Sequence, residues 1–174
     1  DGVLNTTASN YQILLEAPQG TGDYGRNIGW AIGSGSVNAA INAVDGGASN
    51  ATDLSFSTGA ENTMAERLRI KSNGNVGIGI ASPTSYNSSG DNLVLGSISN
   101  LSNGLSIVSP SSGDARGNIY FADGTSGSDQ TRGFITYKHN IDSMLFGTND
   151  SLALTISSGS NVGIGTGSPT QSRL

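Results

Sequence analysis

The sequence contains no cysteine. A disulfide framework and a thiolate metal site are therefore excluded. One histidine, His139, leaves no second imidazole to complete a metal or catalytic cluster, and no cofactor is expected. Lys and Arg number only eight and are scattered, against 13 Asp and Glu, giving a net charge of −5. This balance argues against a nucleic-acid footprint, which needs clustered Lys and Arg. No apolar run reaches the ~18 residues of a membrane span, so no membrane insertion is expected. The chain opens on Asp1 with no charged and apolar leader, which reads as a segment of a longer or processed polypeptide. Helical periodicity is scarce as well. The best stretch, residues 62–70 (NTMAERLRI), is short and ends in strand-like alternation, so one turn at most is expected there. Hydrophobic residues make up 34% of the chain and aromatics 6%, thin for a self-sufficient core. Help from other chains or from extended stacking is expected.

Glycine, in contrast, is plentiful: 26 of 174 residues, about twice the usual ~7%. Ser and Thr together supply roughly a quarter of the chain. Residues 11–17, 27–33, 53–59, 104–109, 117–124, 133–139, 143–149 and 151–157 alternate with a period of two. Gly, Asn, Asp and Ser clusters separate them, as turns would. The expected fold class is all-β, built from short antiparallel strands and hairpins.

The chain also repeats itself. LRIKSNGNVGIGIASPT (68–84) returns as LTISSGSNVGIGTGSPT (154–170). Upstream, Leu54 and Phe56 align with Met144 and Phe146, Ile28 and Trp30 with Ile119 and Phe121, and Pro18 with Pro110. Two tandem copies follow, from about Tyr11 to Thr84 and from about Asn103 to Thr170. The division expected is a first β module (1–84), a connector (85–102) and a second β module (103–174).

Within the repeat, a two-residue Asn73-Gly74 turn would set Lys71 and Arg69 on the apolar face. A three-residue loop, Asn73-Gly74-Asn75, keeps one face apolar by pairing Ile70 with Ile78. It predicts Asn75 and its counterpart Asn161 at positive φ. Gly77, Gly79, Gly163 and Gly165 would let another backbone or long side chains approach, as chains packed around an axis require. Pro83 and Pro169 close the two motifs. A nucleotide loop is the competing reading of Gly77-Ile78-Gly79, but the third glycine, a following helix and a Walker lysine are all missing.

The segments NGNVGIGIASPT and GSNVGIGTGSPT resemble the GNVGIGT-S-P signature of phage tail-fibre and related virion fibre proteins. ERLRI (66–70) resembles the strand that often precedes it there. GNIYFADGTSGSDQTRGFITYKHNIDSMLFGTN is similar to a further pattern of that family. The first copy departs in its middle, where AINAVDGGASNATDLSFS lacks the Tyr-x-His piece. The resemblance implies an elongated, intertwined parallel homotrimer located on a virion or outside a cell. Its partners would be copies of itself, neighbouring segments of the same fibre and, at its end, a host-surface glycan.

The remaining candidate sites read as structural. His139 sits at a strand end. Residues 123–129 hold oxygen ligands without calcium-loop spacing. Glu16, Glu61 and Glu66 are the only glutamates and form no recognisable catalytic pair. Trp30 aligns with Phe121 and is expected in a core. Sequons at Asn5, Asn50, Asn87, Asn100 and Asn149 are about as many as chance gives, and would carry glycans only in a glycosylating pathway. The function expected is a non-enzymatic shaft segment that projects a receptor-binding or adhesive end. The rivals are an extracellular cell-surface or environmental filament and a carbohydrate-binding module.

Overall fold

The computed structural model describes residues 26–31, 36–47, 51–60 and 63–170. The period-two segment at 11–17, with Asn5, Glu16, Pro18, Asn50 and Glu61, lies outside the described residues. The chain divides into two compact units, with the boundary between Leu105 and Ser106. Both are all-β, and no α-helix occurs among the described residues.

The first unit is a six-stranded sheet in chain order: β1 (Arg26–Ala31), β2 (Val37–Asp45), β3 (Thr52–Thr58), β4 (Ala65–Ile70), β5 (Val76–Ile78) and β6 (Leu93–Leu95). β1 to β5 form an antiparallel meander, whereas β6 lies parallel to β5. The connector is therefore no bare linker, because it contributes a strand to the first sheet. The second unit is an antiparallel meander of β7 (Arg116–Phe121), β8 (Gly133–Lys138), β9 (Ser143–Thr148), β10 (Ser151–Ile156) and β11 (Val162–Ile164).

The two meanders share one register. Ile28, Ile41, Phe56, Leu68 and Ile78 stand side by side across the first sheet. Ile119, Ile135, Phe146, Leu154 and Ile164 do the same across the second. A bulge interrupts β4 opposite Phe56/Ser57, and another interrupts β10 between Leu152 and Leu154, at the equivalent place.

Of the 62–70 stretch, the strand-like ending expected is what forms, β4 beginning at Ala65. Its helix formers are overridden by pairing to β3, as tertiary context commonly overrides propensity. Residues 104–109 form no strand. They are anchored to β7 by a hydroxyl instead, Ser109 Oγ donating to the Arg116 carbonyl at 2.8 Å. β2 went unread because VNAAINAVD alternates small alanines rather than β-branched or aromatic residues.

The burial pattern is inverted. In β3 the residues that bury are Asp53, Ser55 and Ser57, while Leu54 and Phe56 on the opposite face stay exposed. Among the described residues, Ala40, at 5% exposure, and Pro83 are the apolar residues that become fully buried. The first sheet thus covers its polar face and leaves much of its apolar face exposed; in the second, Ile119, Phe121, Ile156, Val162 and Ile164 are exposed around a half-buried middle of Ile135, Phe146 and Leu154.

Candidate functional site

The repeated motif is a hairpin followed by a fold-back. Lys71 N–H donates to the Asn75 carbonyl and Gly74 N–H to the Lys71 carbonyl, both at 2.8 Å. The loop is therefore Ser72-Asn73-Gly74, one residue earlier than expected. Ile70 faces Val76, Arg69 faces Gly77 and Leu68 faces Ile78. The pairing of Ile70 with Ile78 is corrected, although the slip of two leaves every side chain on its expected face.

The left-handed residue is likewise not Asn75 or Asn161. It is Gly74 (φ 93°) in the first copy and Ser160 (φ 60°) in the second. The physical reason is position: the last loop residue must turn left, and glycine does so without a Cβ clash. Ser160 pays that clash, ~1–2 kcal/mol for an L-residue. Ser160→Gly is expected to raise stability by about 1 kcal/mol, and Gly74→Ser to lower it similarly, in paired thermal unfolding curves.

The glycines of the motif serve their own chain. Gly79 (φ 76°) and Gly165 (φ 69°) reverse the backbone after the strand. A Cβ at Gly77 would overlap the Ile80 carbonyl oxygen, and one at Gly163 would lie 3.0 Å from Pro169 Cβ. The tail thus folds back under the polar face, where Pro83 is buried and Pro169 half-buried. The close approach expected from another chain is made here by the chain itself, so these glycines are no argument for an axis.

Beneath the first sheet lies an ionic cluster. The Asp53 carboxylate, fully buried, accepts from Lys71 Nζ at 2.6 Å, Ser72 N–H at 2.9 Å and Arg69 Nη1 at 3.0 Å. Glu66 Oε1 accepts from Arg69 Nε at 2.8 Å. Burial pushes the Asp53 carboxyl up, but Lys71, the Ser72 N–H and Arg69 together outweigh it and hold it below the usual carboxylate range. Glu66 chiefly, with Asp53, raises the Arg69 guanidinium further above its ordinary value against the opposing effect of burial. In the second copy the positions of Asp53, Arg69 and Lys71 are taken by Ser143, Thr155 and Ser157, all neutral.

The other candidates stay apart. His139 stacks edge-on with Tyr137 at 4.9 Å on the open face of the second sheet. Both line a cavity of about 240 Å³ with Ile107, Ile119, Ile135 and Met144. The 123–129 loop is a turn: Asp123 and Gly124 N–H groups both donate to the Asp129 carbonyl, and Arg132 pairs with Asp123 at 3.3 Å. Among the described residues no three His, Cys, Asp or Glu converge as metal ligands, and no helix is long and apolar enough to cross a membrane. Asn87, Asn100 and Asn149 are exposed. Asn149 and Asp150 (φ 51° and 55°) form the two-residue turn between β9 and β10. Trp30, expected in a core, is 53% exposed beside Ile28 on the open apolar face.

That face is the main feature of the surface. In the first unit it carries Ile28, Trp30, Leu54, Phe56, Ile70, Ile78 and Leu93. In the second it carries Ile119, Phe121, Ile156, Val162 and Ile164. Neighbouring strands lie ~4.8 Å apart, so the two faces are about 24 and 19 Å wide across the strands. The register puts these residues together, and the sequence signal for it was the alternation itself. A scan against protein-family models, a search of curated proteins and a search of solved structures each return no match.

Proposed function

We propose that this chain is a structural shaft segment of a fibre. Two tandem β modules assemble with two further copies into a parallel homotrimer, of phage tail-fibre type, that projects a receptor-binding or adhesive end. The observation that carries this reading is the inverted burial: two sheets with the same internal register, whose fully buried side chains are almost all polar while large apolar side chains stay exposed on the opposite face. A sheet with one apolar face must bury it against another element. Identical faces in identical register are matched most simply by copies of the same chain around a closed rotation axis. The mechanism is mechanical. Aliphatic and aromatic columns pack between subunits, while the Ser-, Thr- and Asn-rich remainder meets water. The scarcity of charge in the sequence fits a spacer. Tightly packed β interfaces of this kind dissociate slowly. The purified chain is therefore expected to migrate as a trimer in SDS without heating and as a monomer after boiling. Monomer in both lanes would count against an interlocked shaft.

A further inference from the structure

β5 and β11 are the same strand written twice. Both read Val-Gly-Ile between Asn and Gly. Both pair with the preceding strand in the same register, Val76 with Ile70 and Val162 with Ile156. Both end on a left-handed glycine whose N–H reaches the bulged residue, Gly79 to the Arg67 carbonyl at 2.9 Å and Gly165 to the Ala153 carbonyl at 2.8 Å. Their outer edges differ. β5 holds β6 there: Val76 N–H donates to the Asn92 carbonyl at 2.8 Å, and the Ile78 carbonyl accepts from Gly96 N–H at 2.8 Å. β11 ends its sheet, with no strand on its outer side among the described residues. Ile164 is 84% exposed, against 43% for Ile78.

From this we infer that the outer edge of β11 is an acceptor site for a parallel strand. An uncapped strand edge is a template for strand addition, and the first copy of the motif displays the occupant. That occupant is an extended aliphatic segment of the β6 type, Asp91-Asn92-Leu93-Val94-Leu95-Gly96, carried by the connector of a following module. Its two leucines extend the apolar columns beside Val162 and Ile164, as Leu93 and Leu95 do beside Val76 and Ile78. Gly96, at φ 97°, then turns the segment away. The donated strand seals the module end and splices one module to the next. It needs the tandem repeat but no trimer.

The test appends a second copy of residues 85–101 directly after Thr170, in place of 171–174, and follows amide exchange at Val162 and Ile164. Exchange at both amides is expected to slow by about tenfold or more, because they gain strand partners. A second version carries proline in place of the appended valine equivalent to Val94. Proline removes a ladder donor, and exchange is expected to return to the rate of the parent chain. Unchanged exchange in the extended chain, or equal slowing with the proline version, would overturn the inference. So would amides already protected in the parent chain, since the edge would then be filled by another copy. Light scattering on the same samples reports the assembly state separately, so loss of the trimer and loss of strand docking read out independently.

Discussion

Asp53→Ala is expected to cost the first unit about 3 kcal/mol, lowering its urea midpoint by roughly 1–2 M. The reason is asymmetry. Asp53 is fully buried and is the shared acceptor of Lys71, Arg69 and the Ser72 N–H. Removing it leaves two cations in a nearly dry site, with only Arg69 keeping a partner, Glu66. Replacing the whole cluster is a different matter. The second copy runs the same register with Ser143, Leu152, Thr155 and Ser157, so the quadruple variant D53S/E66L/R69T/K71S should retain far more stability than D53A alone. A buried ion pair is commonly worth little against a neutral isostere, whereas half of one is costly. The neutral version carries its own small penalty, because Thr155 Oγ1 is buried without a partner.

Asp53 also sets an acid limit. Its carboxyl titrates below its ordinary value of 3.8 in the folded chain. The unfolded chain therefore binds the proton first as pH falls. Stability from this group is complete above that ordinary value and is lost as pH drops through the lower folded value. Denaturation midpoints measured between neutral pH and about pH 2 should fall more steeply for the parent chain than for the quadruple variant. Asp114, paired with Arg116 and Lys138 in the open, should add little to that slope because solvent screens it.

The second large effect concerns assembly. Phe56→Asp together with Phe146→Asp places a carboxylate at the centre of each apolar face. In a lone chain Phe56 is already partly in water, so the sheets should persist by circular dichroism. Between subunits the same carboxylates would be buried without partners, at several kcal/mol per ion. The expected product is a folded species of 17.6 kDa, the mass of one chain. Ser89→Asp, in an exposed loop, should leave assembly unchanged.

Much of this was legible in the sequence, for identifiable reasons. Side-chain alternation has a period of two, so TDLSFST and SMLFGT announced their faces, and the Phe56 and Phe146 equivalence followed from matched spacing. Parity arguments also fixed which face of the motif hairpin is apolar. They could not fix where the loop sits, since a shift of two residues preserves every face. Gly74 eases the observed position, but the second copy adopts the same loop with Ser160 in the left-handed place. β2 was hidden because alanine carries little strand signal. The donated strand β6 was hidden because three aliphatic residues in a Ser- and Asn-rich connector set no period. The ionic cluster was invisible for another reason: Asp53 lies 16 residues from Arg69, and only the β3–β4 register joins them. The sense of burial could not be read either. Alternation shows that two faces differ but not which one a single chain covers.

If the open faces close on two further copies, light scattering on residues 1–174 at neutral pH will register it. A mass of about three times 17.6 kDa is the predicted result. A stable single-chain mass over a wide concentration range would contradict it and leave both apolar faces without their occupant.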